Sequence, residues 1–392
     1  MLIFFVISFL TNVIGPLIPD MITGFKLNLT LVSILPFAFF IAYGVMSIPS
    51  GFLIERYNEK KVMIAAFSIA LAGSAILAFF PNYLSAIVSL FLIGSGMAML
   101  QVVINPLLRT SGGEENFAFY SILAQLIFGL ASFISPFVYS YFVNNLKDHS
   151  YNIIPAELPW IALYFLFIGI CLLMLVILLF SKLPKVELNV DEKTGTIDTY
   201  VLLFKQKKVV LFFIAMICYV GTEQGIANWI SQFLSSYHGL NPQTIGAETV
   251  AYFWGLMTMG GILGLFLVKL FDSRYVLIGF SVLAMISLFS ALFGTFQIAL
   301  YAFPLVGFFA SVMYPIIFSL ALNSFTENHG SFSAILVTGI IGGAIMPLIV
   351  GWLGDILGLR FGMCSLFLTL GFILSIGFWA KPLVTNKTIT FF

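Results

Sequence analysis

One acidic residue stands in the middle of a long apolar stretch. Glu223 lies near the centre of the run 209–237, whereas most other charged residues lie between such runs or near their ends. Translocon scales put a charged side chain at membrane depth at about +2.5–3.5 kcal/mol, so this carboxyl group indicates a function such as holding a proton or a sodium ion. The alternative is a protonated carboxyl that hydrogen-bonds to a neighbouring helix for packing alone. Gly221 and Gly225 flank it, and we expect the helix to unwind there and offer carbonyl oxygens to a cation.

Neutral amide side chains stand in several other apolar runs. Gln101 and Asn105 are four residues apart and so share one face of a helix, Gln125 is in the following run, and Asn12 is in the first. Amides supply donors and acceptors without the cost of burying a charge, which suits a neutral hydroxylated solute. The alternative is hydrogen bonding between helices. In the second half, the polar and aromatic groups expected at a solute site are Gln224, Asn228, Trp229, Tyr314 and Asn323.

The composition places all of these residues in a membrane. Of the 392 residues, 61% are hydrophobic and 8% are charged, against about 25% charged in soluble chains; the mean hydropathy is +1.10. A net charge of +1 leaves no basic surface for nucleic acid. The three cysteines lie inside apolar runs and are odd in number, so they imply neither a disulfide framework nor a zinc cluster.

The apolar runs predict an all-α membrane protein with twelve transmembrane helices. A bilayer core about 30 Å thick needs about 20 apolar helical residues. The barrel pattern, with about ten residues alternating at period two, appears nowhere in the sequence. The first run lacks a basic start and a cleavage pattern, so it is expected to be retained as a helix. The predicted helices cover residues 1–22, 31–54, 62–80, 84–108, 117–143, 159–181, 209–237, 244–268, 275–293, 298–322, 332–356 and 361–380.

Basic residues between the runs predict the orientation. If the N-terminus is cytoplasmic, fourteen Lys and Arg side chains face the cytoplasm and three, Lys26, Lys147 and Arg360, face the other side. The positive-inside rule therefore puts both termini in the cytoplasm. We expect a multi-pass protein of the cell membrane, the inner or plasma membrane, whose permanent partner is the lipid bilayer and which works as a monomer.

An internal repeat divides the chain into two halves. FLIERYNEKKVM (52–63) aligns without gaps with FLVKLFDSRYVL (266–277), and the pairs Asn105/Tyr314 (each before a proline) and Pro136/Pro347 keep the same order. The longest polar stretch lies between the halves. We predict a first six-helix bundle over 1–181, a cytoplasmic linker over 182–208 and a second bundle over 209–392, an arrangement in which a midplane site opens alternately to each side.

These segments resemble the major facilitator superfamily. GFLIERYNEKK (51–61) is similar to the superfamily's G-x-L-x-D-R-x-G-R-K loop, with Glu55 at the acidic position. The stretch 94–136 resembles the fucose–galactose–hexose permease family, whose Q/E-x-x-x-N-P and L-A-Q patterns match Gln101 to Pro106 and Leu123 to Gln125. CYVG (218–221), YPIIFS (314–319) and IIGG (340–343) match the same family, so the resemblance spans nearly the whole chain.

The sequence departs from the proton-coupled fucose branch at both of its acidic positions. That branch has an Asn-x-x-Asp pattern in the first helix and a Glu ahead of Asn-Pro in the fourth, where this chain has Gly15 and Gln101. Gln101 and Glu223 instead resemble the glucose/galactose branch, which includes sodium-dependent members. The superfamily resemblance also implies a cytoplasmic latch formed by Glu55, Arg56 and Arg109. A weaker counterpart is expected at Lys269, Asp272 and Arg274. The alternative is that these charges only set the orientation of the chain in the membrane.

The resulting expectation is a secondary active transporter, not an enzyme, that moves a neutral hexose of the glucose/galactose kind. It has no cofactor and is coupled to a cation, Na⁺ or H⁺. The sequence has no P-loop, so the fuel is an ion gradient. Two other transport functions stay open, an exporter of drug-like or lipid substrates and an uncoupled sugar facilitator. A membrane enzyme or a sugar receptor is a further alternative, but no nucleophile–base pair or metal cluster is recognisable at membrane depth.

Overall fold

The structure is a computed structural model that describes residues 1–112, 117–146, 157–181, 183, 197–325 and 328–383. These residues form helices and connecting turns and no strand. Within the described ranges, twelve helical segments are long and apolar enough to cross a membrane, as the sequence predicts. We call them spans 1 to 12 in chain order.

The spans of the first half are mostly continuous helices. Span 1 is made of α1 and α2, and span 6 begins with a 3-10 turn at Pro159–Ile161. The helices of this half are α1 (Leu2–Asn12), α2 (Ile14–Phe25), α3 (Leu29–Tyr57), α4 (Glu59–Phe79), α5 (Tyr83–Gly112), α6 (Phe117–Leu146) and α7 (Ala162–Phe180).

The spans of the second half contain more breaks. The helix α8 (Ile197–Phe204) lies within the predicted linker. Span 7 is α9 and is extended by α10, and span 8 is α11 with a π-helical turn before it at Pro242–Gly246. Span 10 is made of α13 and α14, span 11 joins α15 to α16 through a 3-10 turn, and span 12 is made of α17 and α18. The remaining helices are α9 (Lys207–Ala227), α10 (Ile230–His238), α11 (Ala247–Leu270), α12 (Ser273–Phe293), α13 (Phe296–Ala310), α14 (Met313–Leu322), α15 (His329–Thr338), α16 (Gly342–Leu357), α17 (Leu359–Cys364) and α18 (Leu366–Trp379).

Glycine allows the helices of one half to pack backbone to backbone. A Cβ at Gly96 of span 4 would lie 2.5 Å from the Ala66 carbonyl oxygen of span 3, and one at Gly260 of span 8 would meet the Phe308 carbonyl of span 10. Small residues that permit such approach are the usual means of helix association in a bilayer, where apolar surface alone gives no preference for another helix. Each half therefore has an interior built from close helix contacts.

The two halves meet along several pairs of spans. Span 1 packs on α10 and on span 8, span 2 packs on span 11, and span 5 packs on span 8. In the last pair, a Cβ at Gly255 would lie 2.8 Å from the Phe133 ring. We call the side of the membrane domain that carries the linker the linker face and the opposite side, where spans 1 and 2 are joined, the far face. The hydrogen bonds that Asp20 and Asp355 form between the halves lie at the far face.

Candidate functional site

Glu223 lies in a polar centre formed by spans 7 and 10. Its Oε1 accepts a hydrogen bond of 3.1 Å from the Gln224 side-chain amide. Tyr219 lies one helical turn earlier on the same face, where its hydroxyl is close enough to interact with the carboxylate. The ring of Tyr314 stands edge-on to Tyr219, with 5.7 Å between ring centroids. These four residues, Tyr219, Glu223, Gln224 and Tyr314, are the polar centre.

The glycines beside Glu223 serve helix packing, and the expected unwinding between them is wrong. The helix α9 continues without interruption through Gly221 and Gly225. A Cβ at Gly225 would lie 2.7 Å from Leu366, and one at Gly221 would meet Met346, so each glycine makes room for a side chain of a neighbouring span. The helical carbonyls here stay inside α9 and are not offered to a cation.

Span 7 breaks one turn later, at Asn228 and Trp229. The N–H of Asn228 bonds to the Gln224 carbonyl at 3.0 Å, and α10 begins at Ile230. The Nδ2 of Asn228 is buried and has no hydrogen-bond partner in the described part of the chain. Gly15 of span 1 approaches this break so closely that its Cβ would lie 3.3 Å from the Asn228 Cα. The break therefore carries an unsatisfied amide donor at the contact between the two halves.

Trp229 does not present an aromatic face to a solute in this structure. Its side chain is fully buried, and its indole Nε1 donates to the Pro347 carbonyl at 3.3 Å. A Cβ at Gly351 would lie 3.0 Å from its ring. Trp229 thus fills the contact between spans 7 and 11.

Asn12 is engaged between spans 1 and 5. Its Nδ2 donates to the Ser132 hydroxyl at 2.8 Å and reaches the Ser8 hydroxyl at 3.3 Å. The two serine hydroxyls bond to each other at 2.6 Å. This network matches the alternative of hydrogen bonding between helices. The side-chain oxygen of Asn12, Oδ1, is then the atom that could still bind a solute.

Gln101 and Gln125 are free for a ligand, in the sense that neither has a hydrogen-bond partner among the described residues. Gln101 is half-buried on α5, and Gln125 is exposed on α6. The backbone of Asn105 belongs to α5, but its side chain is outside what the structure describes. Of the three amides predicted to bind a solute in the first half beyond Asn12, the structure therefore shows the side chains of Gln101 and Gln125.

Asn323 lies away from the polar centre. It follows the last residue of α14 at the linker face, where its Nδ2 donates to the Ser319 hydroxyl at 3.3 Å and its carbonyl accepts from the N–H of Leu383 at 2.7 Å. Nine residues of helix separate it from Tyr314, which corresponds to about 13 Å. Tyr314, by contrast, stacks on Phe318 with 5.9 Å between ring centroids and borders the polar centre.

The predicted gate residues of the linker face form local contacts where they are described. The Asp272 carboxylate is paired with Arg274 at 2.8 Å and caps α12 through the Arg274 N–H. These hydrogen bonds hold the pKa of Asp272 below its usual range. Arg56 is exposed and lies over the Tyr57 ring at 5.2 Å. The side chains of Glu55 and Arg109, which complete the predicted latch, are outside the described part of the chain.

Several polar residues have no counterpart among the sequence predictions. Asp20 and Asp355 are acidic residues at the far face, and Tyr43 of span 2 lies beside Thr11 of span 1. In span 7, the Thr222 hydroxyl bonds to that of Thr369 in span 12 at 2.6 Å. An acidic residue inside or just after an apolar run was the available signal for the first two, but their partners are distant in sequence.

Twelve spans in the described residues, with a buried polar centre, are typical of a membrane transport protein. A model of the Major Facilitator Superfamily matches residues 1–339, and the chain belongs to this family. The predicted resemblance is thereby confirmed, and the protein is a multi-pass membrane transporter and not an enzyme.

Relatives and solved structures of the family cover nearly the whole chain. A glucose/galactose transporter of Brucella abortus is 31% identical over 365 residues, 92% of this chain and 87% of the relative. The L-fucose–proton symporter of Escherichia coli is 24% identical over 383 residues, 91% and 86% of the two chains. A crystal structure of a D-xylose–proton symporter has a TM-score of 0.76 at 13% identity and covers 99% of this chain and 98% of its own. The E. coli fucose:proton symporter has a TM-score of 0.68 at 21% identity, with 97% and 98% coverage.

Proposed function

We propose that this protein is a secondary active transporter that carries a neutral hexose, of the glucose or galactose kind, together with Na⁺ or H⁺. The observation that carries the proposal is the polar centre, where a carboxylate within a membrane span meets an amide and a tyrosine. Such a group can hold a cation beside the hydroxyls of a solute. Similarity to the Brucella glucose/galactose transporter supports this sugar class.

Glu223 is the coupling residue in this proposal. The positions at which the fucose branch carries acids hold Gly15 and Gln101 here, so the coupling charge has to come from elsewhere. Glu223 accepts a hydrogen bond from Gln224 and lies beside Tyr219, and its carboxylate can either take up a proton or contribute to a sodium shell. One cation crossing about 150 mV supplies roughly 3.5 kcal/mol, which supports about 300-fold accumulation of the sugar.

The sugar is bound by neutral polar groups from both halves. Gln101, Gln125 and the Nδ2 of Asn228 lack partners in the described residues and are available to sugar hydroxyls. The ring of Tyr314, half-buried beside Glu223, offers an apolar face to the C–H side of a pyranose. Asn105 shares a helix face with Gln101 and is proposed to act with it.

The linker face is proposed to be cytoplasmic, because it collects fourteen of the seventeen Lys and Arg side chains. Both termini then lie in the cytoplasm, and the protein works as a monomer in the cell membrane. A latch of Glu55 and Arg109 would close the linker face in the outward-open state. The variants Glu55→Ala and Arg109→Ala are then expected to favour the inward-open state without changing which sugar is carried, and a periplasmic cysteine reporter should label more slowly.

Counterflow in proteoliposomes tests the function directly. Vesicles loaded with unlabelled glucose, galactose or fucose receive external labelled glucose, with and without sodium and at two pH values. Exchange of glucose and galactose, together with accumulation under an ion gradient, supports the proposal. Exchange without accumulation under either ion identifies an uncoupled facilitator, and the lack of hexose exchange in a folded preparation points to an exporter of apolar compounds.

A further inference from the structure

An acidic residue of span 11 caps the first turn of span 2. The Asp355 carboxylate accepts hydrogen bonds from the N–H groups of Leu29 at 3.0 Å and Thr30 at 2.8 Å, and from the Thr30 hydroxyl at 2.5 Å. The first N–H groups of a helix have no partner within it. Asn28, the preceding residue, satisfies only the N–H of Leu31, at 2.8 Å. The start of α3 is therefore completed by a side chain from the opposite half.

A second acidic residue joins the halves beside this cap. Asp20, in span 1, is 7% exposed. Its Oδ1 accepts from the Gln243 amide of span 8 at 2.6 Å, and its Oδ2 accepts from the Tyr139 hydroxyl of span 5 at 2.7 Å. Acceptance at both oxygens is the pattern of an ionised carboxylate. Gln243 belongs to the second half, so this bond crosses the same interface as the bonds of Asp355.

Spans 2 and 11 are packed backbone to backbone beside these hydrogen bonds. Separation of the halves at the far face therefore breaks the bonds of Asp355 and Asp20. A Cβ at Gly351 would lie 2.5 Å from the Leu29 carbonyl oxygen and 2.6 Å from the Ser33 hydroxyl. One at Gly354 would lie 2.9 Å from the Leu29 side chain. Any motion that opens the far face moves span 11 away from span 2 and removes Asp355 from the N-terminus of α3.

We propose that Asp20 and Asp355 are the gate of the far face: each holds a donor of the opposite half, and transport requires both to release their donors. This inference rests on the proposed alternating access, and it assigns to the far face a function that the sequence placed only at the linker face. An anionic side chain at a helix N-terminus also gains from the helix dipole. Release exposes the buried Asp20 carboxylate to water, while Asp355 is already exposed, and this hydration balances part of the loss and keeps the gate reversible.

The test measures the conformation of the far face without any sugar. Spin labels on cysteines at Phe80 and Ser236, one exposed position in each half at the far face, report the distance between the halves in lipid nanodiscs. The background replaces the three native cysteines with alanine. Asp355→Ala and Asp20→Asn are compared with Glu248→Gln, a matched control whose carboxylate bonds to Tyr252 of its own helix.

The ratio of long-distance to short-distance populations is expected to rise about fivefold or more in each gate variant. Loss of a helix cap or of a hydrogen bond to a charged group costs about 1 kcal/mol or more, which corresponds to this factor. Glu248→Gln should leave the ratio unchanged. Distance distributions equal to the parent in both gate variants would overturn the inference. If Asp355→Ala fails to fold, Asp355→Asn keeps the side-chain volume and decides the same question. If the protein carries no hexose but the far face opens in these variants, the proposed substrate is refuted and the assignment of the gate still holds.

Discussion

Glu223→Gln is expected to separate sugar movement from the ion gradient. The substitution removes one negative charge and keeps the size of the side chain and one carbonyl oxygen. That oxygen can still accept the hydrogen bond that the Gln224 amide now makes at 3.1 Å. The side chain loses the ability to take up a proton or to balance the charge of a sodium ion. We expect the variant to fold and to exchange sugar, but not to concentrate it.

The size of the expected effect follows from the charge that Glu223 binds. One coupled cation and a potential of about 150 mV give roughly 3.5 kcal/mol, or a sugar ratio of about 300. Without coupling, the ratio falls to about 1 by the same relation. If Glu223 serves only packing, the substitution weakens one or two hydrogen bonds by about 0.5–1.5 kcal/mol each. That loss lowers stability and leaves accumulation in place.

The assay is uptake against a sugar gradient in proteoliposomes with an imposed sodium gradient, a proton gradient, or neither. Counterflow in the same preparation measures exchange and shows that the variant is active. Glu248→Gln is the matched control, since this exposed carboxylate bonds to Tyr252 on its own helix. Accumulation by Glu223→Gln equal to that of the parent, under either ion, would refute the coupling function.

Three other outcomes are expected. Gln101→Ala should weaken sugar binding by about 1–3 kcal/mol, measured by calorimetry on purified protein; an equal loss in Gln232→Ala, a glutamine bonded to Ser236 of its own helix, would show a non-specific effect. Asn228→Asp should keep the fold, as judged by thermal melting, and weaken sugar affinity at least tenfold, because it replaces an unpartnered donor with an acceptor; unchanged affinity would contradict this. Burial, and to a smaller extent the charge of Arg360, lower the pKa of His238. The folded protein therefore favours the neutral imidazole, and it loses stability as the pH falls through the usual histidine range. Arg360→Gln should raise this pKa, measured by NMR titration of the imidazole.

The twelve spans could be predicted because the length of an apolar run is a local property. The run 84–108 corresponds to α5 (Tyr83–Gly112), and the run 159–181 to the 3-10 turn at Pro159 and α7. The run 209–237 reads as one segment, whereas the structure divides it into α9 and α10. The apolar pattern does not mark this division, because apolar residues continue on both sides of it, with Ile226 and Ala227 before Asn228 and with Trp229 and Ile230 after it.

The contacts of the site depended on residues that are far apart in sequence. Asn12 had two equally open interpretations, and its partner Ser132, 120 residues away, favours the structural one. Gly221 suggested unwinding because glycine is flexible, but Met346 packs against it and the helix continues. Asp355 stands at the end of the apolar run 332–356, but nothing local indicates its partners, because the N–H groups that it binds belong to residues 325 and 326 positions earlier.

The charged residues of the two faces hold the halves in different ways. At the linker face, Asp272 and Arg274 are two residues apart and partly exposed, and such a pair contributes about 0–1 kcal/mol and nothing between the halves. At the far face, Asp20 is buried and bonded across the interface, and hydrogen bonds to a charged group contribute about 1.5–3 kcal/mol each. Asp355 is exposed, so its cap is worth about 1 kcal/mol. The stability of the closed far face thus rests chiefly on Asp20, and its substitution should open this face more than that of Asp355.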